Sequence, residues 1–277
     1  MDKYSVLMSL YIKENPEYLD LAIKSMVEQT LKPDEIVIVK DGPITSELKM
    51  ILNKYEKKYP DLFKICGYEI NRGLGFALSY GINKCQNELI ARMDTDDISI
   101  SSRCEQQLKL FIDNPELDIV GGNISEFIDT PNNIVAYRIV PNKDYEIKEY
   151  IKKRCPFNHM TVMYKKSSVL NSGNYKDLFW NEDYYLWIRM AEKNNKMANT
   201  GTVLVNVRTG KDMYQRRGGK KYFESEKFLQ NYMLDKKIIN KKIYYMNVIK
   251  RFIVQRMLPN KIRGIIFRTL AREKIKW

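Results

Sequence analysis

The sequence predicts an α/β fold: a mostly parallel central sheet with helices on both faces, followed by a basic helical tail. Three observations carry this. Over residues 4–97 short apolar runs alternate with segments of helical periodicity, which is the pattern of successive βαβ units. The runs are too uniformly apolar for a sheet with one wet face, so helices must cover both sides. The charge is also lopsided. Residues 211–277 hold 19 Lys and Arg against 5 Asp and Glu, enough to account for the whole net charge of +13.

Ser5-Val6-Leu7-Met8-Ser9-Leu10 reads as a buried first strand. Asn15 as N-cap and Pro16 at the first helical position then open a helix with Leu19, Ala22, Ile23, Met26 and Val27 on one face. Lys32-Pro33-Asp34 ends it. A second strand, Glu35 to Val39, runs into the turn Lys40-Asp41-Gly42-Pro43 and leaves Asp41 just past its end. Leu48, Ile51, Leu52 and Tyr55 mark the next helix, and a third strand lies near Phe63–Cys66. The loop Asn71-Arg72-Gly73-Leu74-Gly75 leads into a helix from Phe76 to Cys85. The fourth strand, Glu88-Leu89-Ile90-Ala91, ends in Arg92-Met93-Asp94-Thr95-Asp96-Asp97. Open α/β sheets bind ligands beyond the carboxyl ends of their strands. Tyr11, Asp41, Arg72 and the acidic cluster all follow strands, so they can converge on one crevice.

After Asp97 the alternation weakens. A helix over Ser102–Asp113 precedes strands at Asp118–Asn123 and Ile134–Val140, with a turn at Thr130-Pro131-Asn132-Asn133 between them. Pro156 to Tyr164 alternates apolar residues. Asn181 is placed to cap a helix carrying Leu186, Trp187 and Met190, with Glu182 and Asp183 in its first turn. Free backbone N–H groups and the helix dipole favour carboxylates there.

Three carboxylates in four residues repel one another, which suggests a cation or polar ligand among them. Asp94 and Asp96 share one face of an extended segment, a spacing that presents oxygens to Mn2+ or Mg2+ with phosphate oxygens completing the octahedron. The same stretch also suits a solvated turn, with Asp97 or Ser99 capping the next helix. Glu182 and Asp183 likewise suit the plain role of N-terminal helix acids. Other chemistries are excluded more firmly. The four cysteines lie far apart without a C-x-x-C pair, which argues against a zinc knuckle or a disulfide framework and suits a reducing cytosol. A single histidine, His159, rules out a multi-histidine metal site. No apolar run approaches a membrane span, and the start of the chain lacks a signal-peptide pattern.

The opening strand, Val39-Lys40-Asp41-Gly42-Pro43, Asn71-Arg72-Gly73-Leu74-Gly75, Met93-Asp94-Thr95-Asp96-Asp97 and Glu182-Asp183-Tyr184 together resemble the family 2 glycosyltransferases, over roughly residues 4–210. Each motif alone is weak; five in order are specific. The resemblance is nearest to bacterial transferases of capsule, exopolysaccharide and O-antigen assembly. It implies a Rossmann-like GT-A catalytic domain over residues 1–210, with a nucleotide-sugar half at 1–100 and an acceptor half at 101–210, and a separate tail at 211–277. It also implies inverting transfer of a hexose such as galactose from a UDP-sugar to a hydroxyl of a lipid-linked glycan such as an undecaprenyl-diphosphate sugar.

Carried over by position, Asp41 would accept a hydrogen bond from uracil, with Tyr11 and Arg72 lining the base pocket. Asp94 would hold ribose or assist the metal, Asp96 would bind Mn2+ or Mg2+, and Asp183 would be the catalytic base. Glu182 and His159 fall on the acceptor side. Two departures stand out: Lys40 replaces the first of two acids common before the glycine, and no histidine follows the base helix to serve as a metal ligand. Arg208, Arg216 and Arg217 are candidates to clamp the diphosphate.

In the tail, Tyr245, Ile249, Phe252, Ile253 and Met257 form one helical face, with Lys242, Asn247, Lys250 and Arg251 largely off it. A second segment sets Ile262, Ile265, Ile266 and Leu270 near Arg263, Arg268 and Arg272. Residues 241–277 therefore suit docking on the anionic inner face of a bacterial cell membrane, or a helical pair packed on the catalytic domain. A nucleic-acid-binding role leaves the acids unexplained, because carboxylates repel phosphates. A nucleotidyltransferase needs a glycine- and lysine-rich loop near the first strand, and Tyr11-Ile12-Lys13-Glu14-Asn15 is not one. The expected partners are a UDP-sugar, a glycan acceptor and a membrane surface, without nucleic acid.

Overall fold

The computed structural model describes residues 3–210 and 218–259. Its first half alternates as the sequence predicts: β1 (Tyr4–Leu10), α1 (Pro16–Val27), β2 (Glu35–Asp41), α2 (Ser46–Lys58), β3 (Phe63–Tyr68), α3 (Leu74–Lys84) and β4 (Leu89–Met93). β1 pairs in parallel with β2 and β4, and β2 with β3. Alternate strand residues enter two cores. Val6, Met8, Ile36 and Ile38 pack beneath α1 and α2, while Leu7, Val37, Val39 and Ile90 pack beneath α3. Each such side chain, taken fully out of water, contributes about 1.5–3 kcal/mol.

Local chemistry fixes the helices. The Asn15 side chain accepts from the backbone N–H groups of Glu17 and Tyr18, and Pro16 sits in the first turn. α3 lies unusually close to the sheet. A β-carbon on Gly81 would stand 2.4 Å from Leu7 Cδ1 and 2.8 Å from Val39 Cγ2, so only a glycine permits this approach.

The second half contains β5 (Ile98–Ser99), α4 (Arg103–Asp113), β6 (Leu117–Phe127), β7 (Ile134–Arg138), α5 (Asp144–Tyr150), a 3-10 turn at His159–Thr161, β8 (Met163–Lys165), α6 (Lys166–Asn171), α7 (Glu182–Glu192) and β9 (Lys196–Arg208). All strands join one sheet in the order β3-β2-β1-β4-β8-β6-β9-β5, with β7 also paired to β6. β8 is a three-residue wedge, antiparallel to both β4 and β6, which makes the sheet mixed. β9 runs parallel to β6, and sequence periodicity does not reveal it: its apolar alternation is broken at Gly201, where φ is +78° and the register shifts.

Two helices follow, α8 (Lys220–Asp235) and α9 (Lys241–Phe252), the latter continued by a π-helical turn over Ile253–Met257. α8 buries Leu229 and Met233, and its Phe228 and Tyr232 meet the Tyr185 ring of α7 edge-on at 5.3 and 5.1 Å. α9 docks through polar groups. Asn247 is buried and donates to the Lys152 carbonyl and to Gln230 Oε1, both at 2.9 Å, and Arg251 pairs with Glu226. The opposite side of this helix, with Tyr245, Ile249, Phe252, Ile253 and Met257, is exposed. The helix packs on the body with this apolar side outward; the second segment of the tail, with Ile262, Ile265, Ile266 and Leu270, lies outside the described residues.

Candidate active site

β4 delivers the acidic cluster. Ligand oxygens of Asp94, Asp96 and Asp97 lie within 4.8 Å of one another. Arg92, fully buried one turn of the pleat earlier, gives its guanidinium to Asp94: Nη1 donates to Oδ2 at 2.6 Å and Nη2 pairs with Oδ1. Asp97 accepts the backbone N–H of Arg208 at 2.9 Å and is buried. It is therefore a brace between β9 and the cluster, neither a helix cap nor an open ligand. Asp94 and Asp96 remain partly open. Burial pushes Asp96 up to about 7, with Asp94 and Glu14 adding repulsion. Glu14 is held against the cluster by Thr95, whose hydroxyl donates to Oε2 at 2.6 Å. Crowded carboxylates that hold protons this tightly fit a hard divalent cation, which would replace the proton and relieve the repulsion.

Asp41 sits at the end of β2 with both oxygens engaged. Oδ1 accepts from Tyr68 Oη at 2.8 Å and Arg72 N at 2.7 Å; Oδ2 accepts from Asn71 Nδ2 and Gly73 N, both at 3.0 Å. The carboxylate so caps the loop that starts α3. Gly42 lets that loop pass, because a β-carbon there would stand 2.6 Å from Asn71 N. Arg72 is exposed with its guanidinium 3.5 Å from the Phe76 ring centroid, and Tyr11 is exposed at the end of β1.

Asp183 occupies the first turn of α7. Its Oδ1 accepts the N–H of Tyr184 at 2.6 Å, and the Cys155 thiol donates to Oδ2 at 3.8 Å. The predicted cap, Asn181, does not serve this turn with its side chain, which donates instead to Ser225 Oγ of α8 at 2.9 Å. Burial raises the Asp183 pKa above the usual carboxylate value; the Tyr184 N–H, Arg138 and Arg92 oppose this. The carboxylate opens into a cavity of about 420 Å³, walled in part by Arg138, Arg154, Cys155, Trp180, Lys250 and Arg251. Glu182 faces differently: its Cβ lies against Gly75 of α3, and burial, with Asp183 beside it, pushes it up to about 7.

His159 Nε2 lies 2.9 Å from Tyr175 Oη, and its ring packs on Tyr175 and Trp187. Enclosure and the Arg92 charge hold its pKa well below the ordinary value, so it is neutral at pH 7. Arg208 stacks its guanidinium 3.7 Å from the Tyr18 ring centroid and donates from Nε to the Asp96 carbonyl at 3.3 Å. It supports the backbone of the cluster. Arg216 and Arg217 lie outside the described residues.

The residue that sequence reasoning passed over is Arg92. Asp94 and Asp183 both act on its charge, so it links the two acidic centres electrostatically. A signal existed. A charge within Leu89-Ile90-Ala91-Arg92-Met93 must be paired if that strand is buried.

The model of glycosyl transferase family 2 matches residues 5–179. The chain belongs to glycosyl transferase family 2. It is a glycosyltransferase with the GT-A fold. A relative described as an uncharacterized glycosyltransferase, from Haemophilus influenzae, is 48% identical over 217 residues, 78% of this chain and 80% of its own. Another, the Escherichia coli UDP-Gal:alpha-D-GlcNAc-diphosphoundecaprenol beta-1,3-galactosyltransferase, is 36% identical over 270 residues, 98% of this chain and 97% of its own. Among solved structures, a Pyrobaculum calidifontis mannosyltransferase in complex with GDP-Man and Mn2+ superposes with a TM-score of 0.62 at 13% identity, covering 94% of this glycosyltransferase and 71% of that chain.

Proposed function

We propose that this family 2 glycosyltransferase moves a hexose, galactose in the first instance, from a UDP-sugar to a hydroxyl of an undecaprenyl-diphosphate-linked glycan, with inversion at the anomeric carbon. The observation that carries the reading is Asp183. It is a carboxylate with a raised pKa at the wall of a cavity, and it shares the field of Arg92 with the acidic cluster. The acceptor hydroxyl must lose a proton as it attacks, and a desolvated carboxylate takes it more readily than a solvated one. The E. coli relative supports the choice of donor and acceptor through its named substrates.

Asp94 and Asp96 are the residues to hold Mn2+ or Mg2+, which when bound supplies positive charge to the departing diphosphate. Arg92 keeps Asp94 aimed at that position. Asp41 serves the uracil pocket by fixing the loop that carries Arg72, with Tyr11 on the facing strand end. His159, neutral and bonded to Tyr175, shapes the acceptor side without carrying charge.

The enzyme works against the inner face of the cell membrane through α9. No described helix is long and apolar enough to cross a membrane. The outward face, with Tyr245 60%, Ile249 56% and Met257 65% exposed, suits the interface of a bilayer, and the exposed Lys241, Lys242, Lys250 and Arg256 suit its anionic headgroups.

The test is transfer itself. Purified protein with UDP-galactose, Mn2+ and an alkyl-diphosphate N-acetylglucosamine acceptor should form product, with Asp183→Asn and Asp96→Ala each reducing the rate by at least about 100-fold. Full activity in Asp183→Asn removes the reading of that residue as the base.

A further inference from the structure

Trp180 lines the cavity over Asp183 from the turn that leads into α7. That turn is held at both ends. The Asn181 N–H donates to the Leu178 carbonyl at 2.9 Å, and the Asn181 carbonyl accepts the N–H of Tyr185 at 2.9 Å. The buried Asn181 side chain is bonded to Ser225 of α8. Phe179 stacks on the indole, with ring centroids 5.1 Å apart and planes 7° from parallel, and Tyr222 of α8 meets the indole edge-on at 6.5 Å. Of the stacked pair only Trp180 lines the cavity. Its ring is fixed in place and still 46% exposed.

Folding alone does not favour this placement. Trp180 has φ +56°, in the left-handed region where a β-carbon crowds the backbone and glycine is preferred. Among the described residues the other non-glycine positions there are Asp129, Asn174, Asn194 and Lys237. Asp and Asn tolerate the region by bonding locally to the backbone, which an indole cannot do. The packing on this element is supplied by Tyr184, Leu186 and Trp187, all buried on α7. A large exposed ring at a strained position beside the proposed base points to use by a ligand. That ligand must be amphipathic, to meet an indole and a carboxylate in one cavity. A hexopyranose is so built: hydroxyls stand around its rim, and its faces carry C–H groups whose slight positive charge suits the negative face of an aromatic ring.

We infer that Trp180 is the platform for the pyranose ring of the acceptor, which lays a C–H face on the indole and turns its attacking hydroxyl to Asp183. This rests on the proposed function, because it names the side chain that holds the acceptor sugar. Phe179 backs the platform, and the anchored Asn181 keeps it in register with the base. The donor does not use it, since in that reading the diphosphate and the uracil belong to Asp94, Asp96 and the loop at Arg72.

Two substitutions test it: Trp180→Gly removes the ring and eases the backbone, and Trp180→Phe keeps an aromatic face. Kinetics are measured with UDP-galactose, Mn2+ and the alkyl-diphosphate N-acetylglucosamine, together with melting temperature and, in the absence of donor, the change in tryptophan fluorescence as the acceptor is added. Trp180→Gly should raise the acceptor KM by about tenfold, the upper weight of an aromatic contact, and move the KM for UDP-galactose by less than about twofold. Its melting temperature should stay close to that of the wild type, because a left-handed position accepts glycine. Trp180→Phe should recover most of the acceptor KM and lose the fluorescence change. An acceptor KM within about twofold of wild type in Trp180→Gly, an equal rise in both KM values, or an undiminished fluorescence change in Trp180→Phe overturns the platform and leaves glycosyl transfer standing. A melting temperature of Trp180→Gly far below that of the wild type does the same, by making the ring a structural member. Absence of transfer by the wild type overturns the proposed function, and the platform with it.

Discussion

Arg92 holds Asp94 in a two-point grip from inside the sheet, with the guanidinium buried and the carboxylate partly exposed. A buried cation at a strand end is costly unless fully paired. Here the pairing orients the first carboxylate of the acidic cluster and spreads positive charge toward Asp183. Structure and site are joined in one residue.

Replacing Arg92 by Leu should therefore harm both. Breaking a buried pair by removing one partner costs on the order of 3–5 kcal/mol, and Asp94 would lose its fixed orientation. The expected outcome is a lowered melting temperature together with at least about tenfold weaker Mn2+ binding by calorimetry. Arg92→Lys keeps the charge and loses the two-point geometry, so it should fall between. Mn2+ affinity equal to wild type in Arg92→Leu would show that Asp94 needs no such support.

Titration gives a second outcome. Asp96 and Glu182 are both pushed up to about 7 from 3.8 and 4.5. A carboxyl whose folded pKa exceeds its unfolded one adds stability that is complete below the unfolded value and is lost as pH rises through the folded one. The metal-free protein should thus lose melting temperature between about pH 4 and pH 7. Mn2+ should restore it at the upper end, since a cation favours the ionised Asp96. Asp183 bears on rate in the opposite sense: as the base it must be ionised, so kcat should fall on acidification with a midpoint above the ordinary carboxylate value. Melting scans with and without EDTA, and a kcat profile against pH, check both. A melting temperature that rises steadily from about pH 4 to pH 7 without metal would contradict the burial of these acids.

The α3 contact yields a purely structural prediction. Gly81→Ala places a methyl group within 3 Å of Leu7 and Val39 side chains in the core, an overpacking that costs about 1–3 kcal/mol. Gain in helix propensity, about 1 kcal/mol, does not offset it. Denaturant unfolding should show the loss. A stability equal to or above wild type would mean that the sheet and helix relax apart freely.

How much of this was legible beforehand differs between the two halves. From β1 to β4 the helix cap at Asn15, the apolar strands and the post-strand positions of Asp41 and the acidic cluster follow from sequence patterns alone. β9 does not, because Gly201 interrupts its alternation. The cavity is equally hidden: Arg138, Arg154 and Lys250 are ordinary surface cations until tertiary packing brings β7, the segment after α5, and α9 together. The Asn181 side chain was legible as a cap and serves elsewhere, since α8 offers Ser225 as a partner that no local pattern announces. Asp97 reads in the sequence as a cap for the next helix, but β9 supplies the backbone N–H that occupies it.

The last prediction concerns α9, whose polarity is inverted with respect to an ordinary surface helix. Asn247, Arg251 and Gln255 recur every four residues and turn inward, where Asn247 and Arg251 bind the body. Tyr245, Ile249, Ile253 and Met257 recur every four residues and turn outward. A helix normally hides its apolar face, so this arrangement leaves a surface that water does not favour. Contact with a bilayer removes it from water, and the exposed lysines nearby add about 1 kcal/mol each near anionic lipid. Ile249→Glu with Met257→Glu should reduce cosedimentation with vesicles of anionic phospholipid by at least about tenfold, since each change deletes apolar contact and adds repulsion. Because both side chains are exposed, the melting temperature should stay within a few degrees, about the range expected of surface substitutions. The doubly substituted protein should also transfer sugar to a water-soluble acceptor as the wild type does and fall behind on an acceptor embedded in vesicles. Undiminished vesicle binding by this variant would mean that the outward face of α9 is covered by something other than lipid.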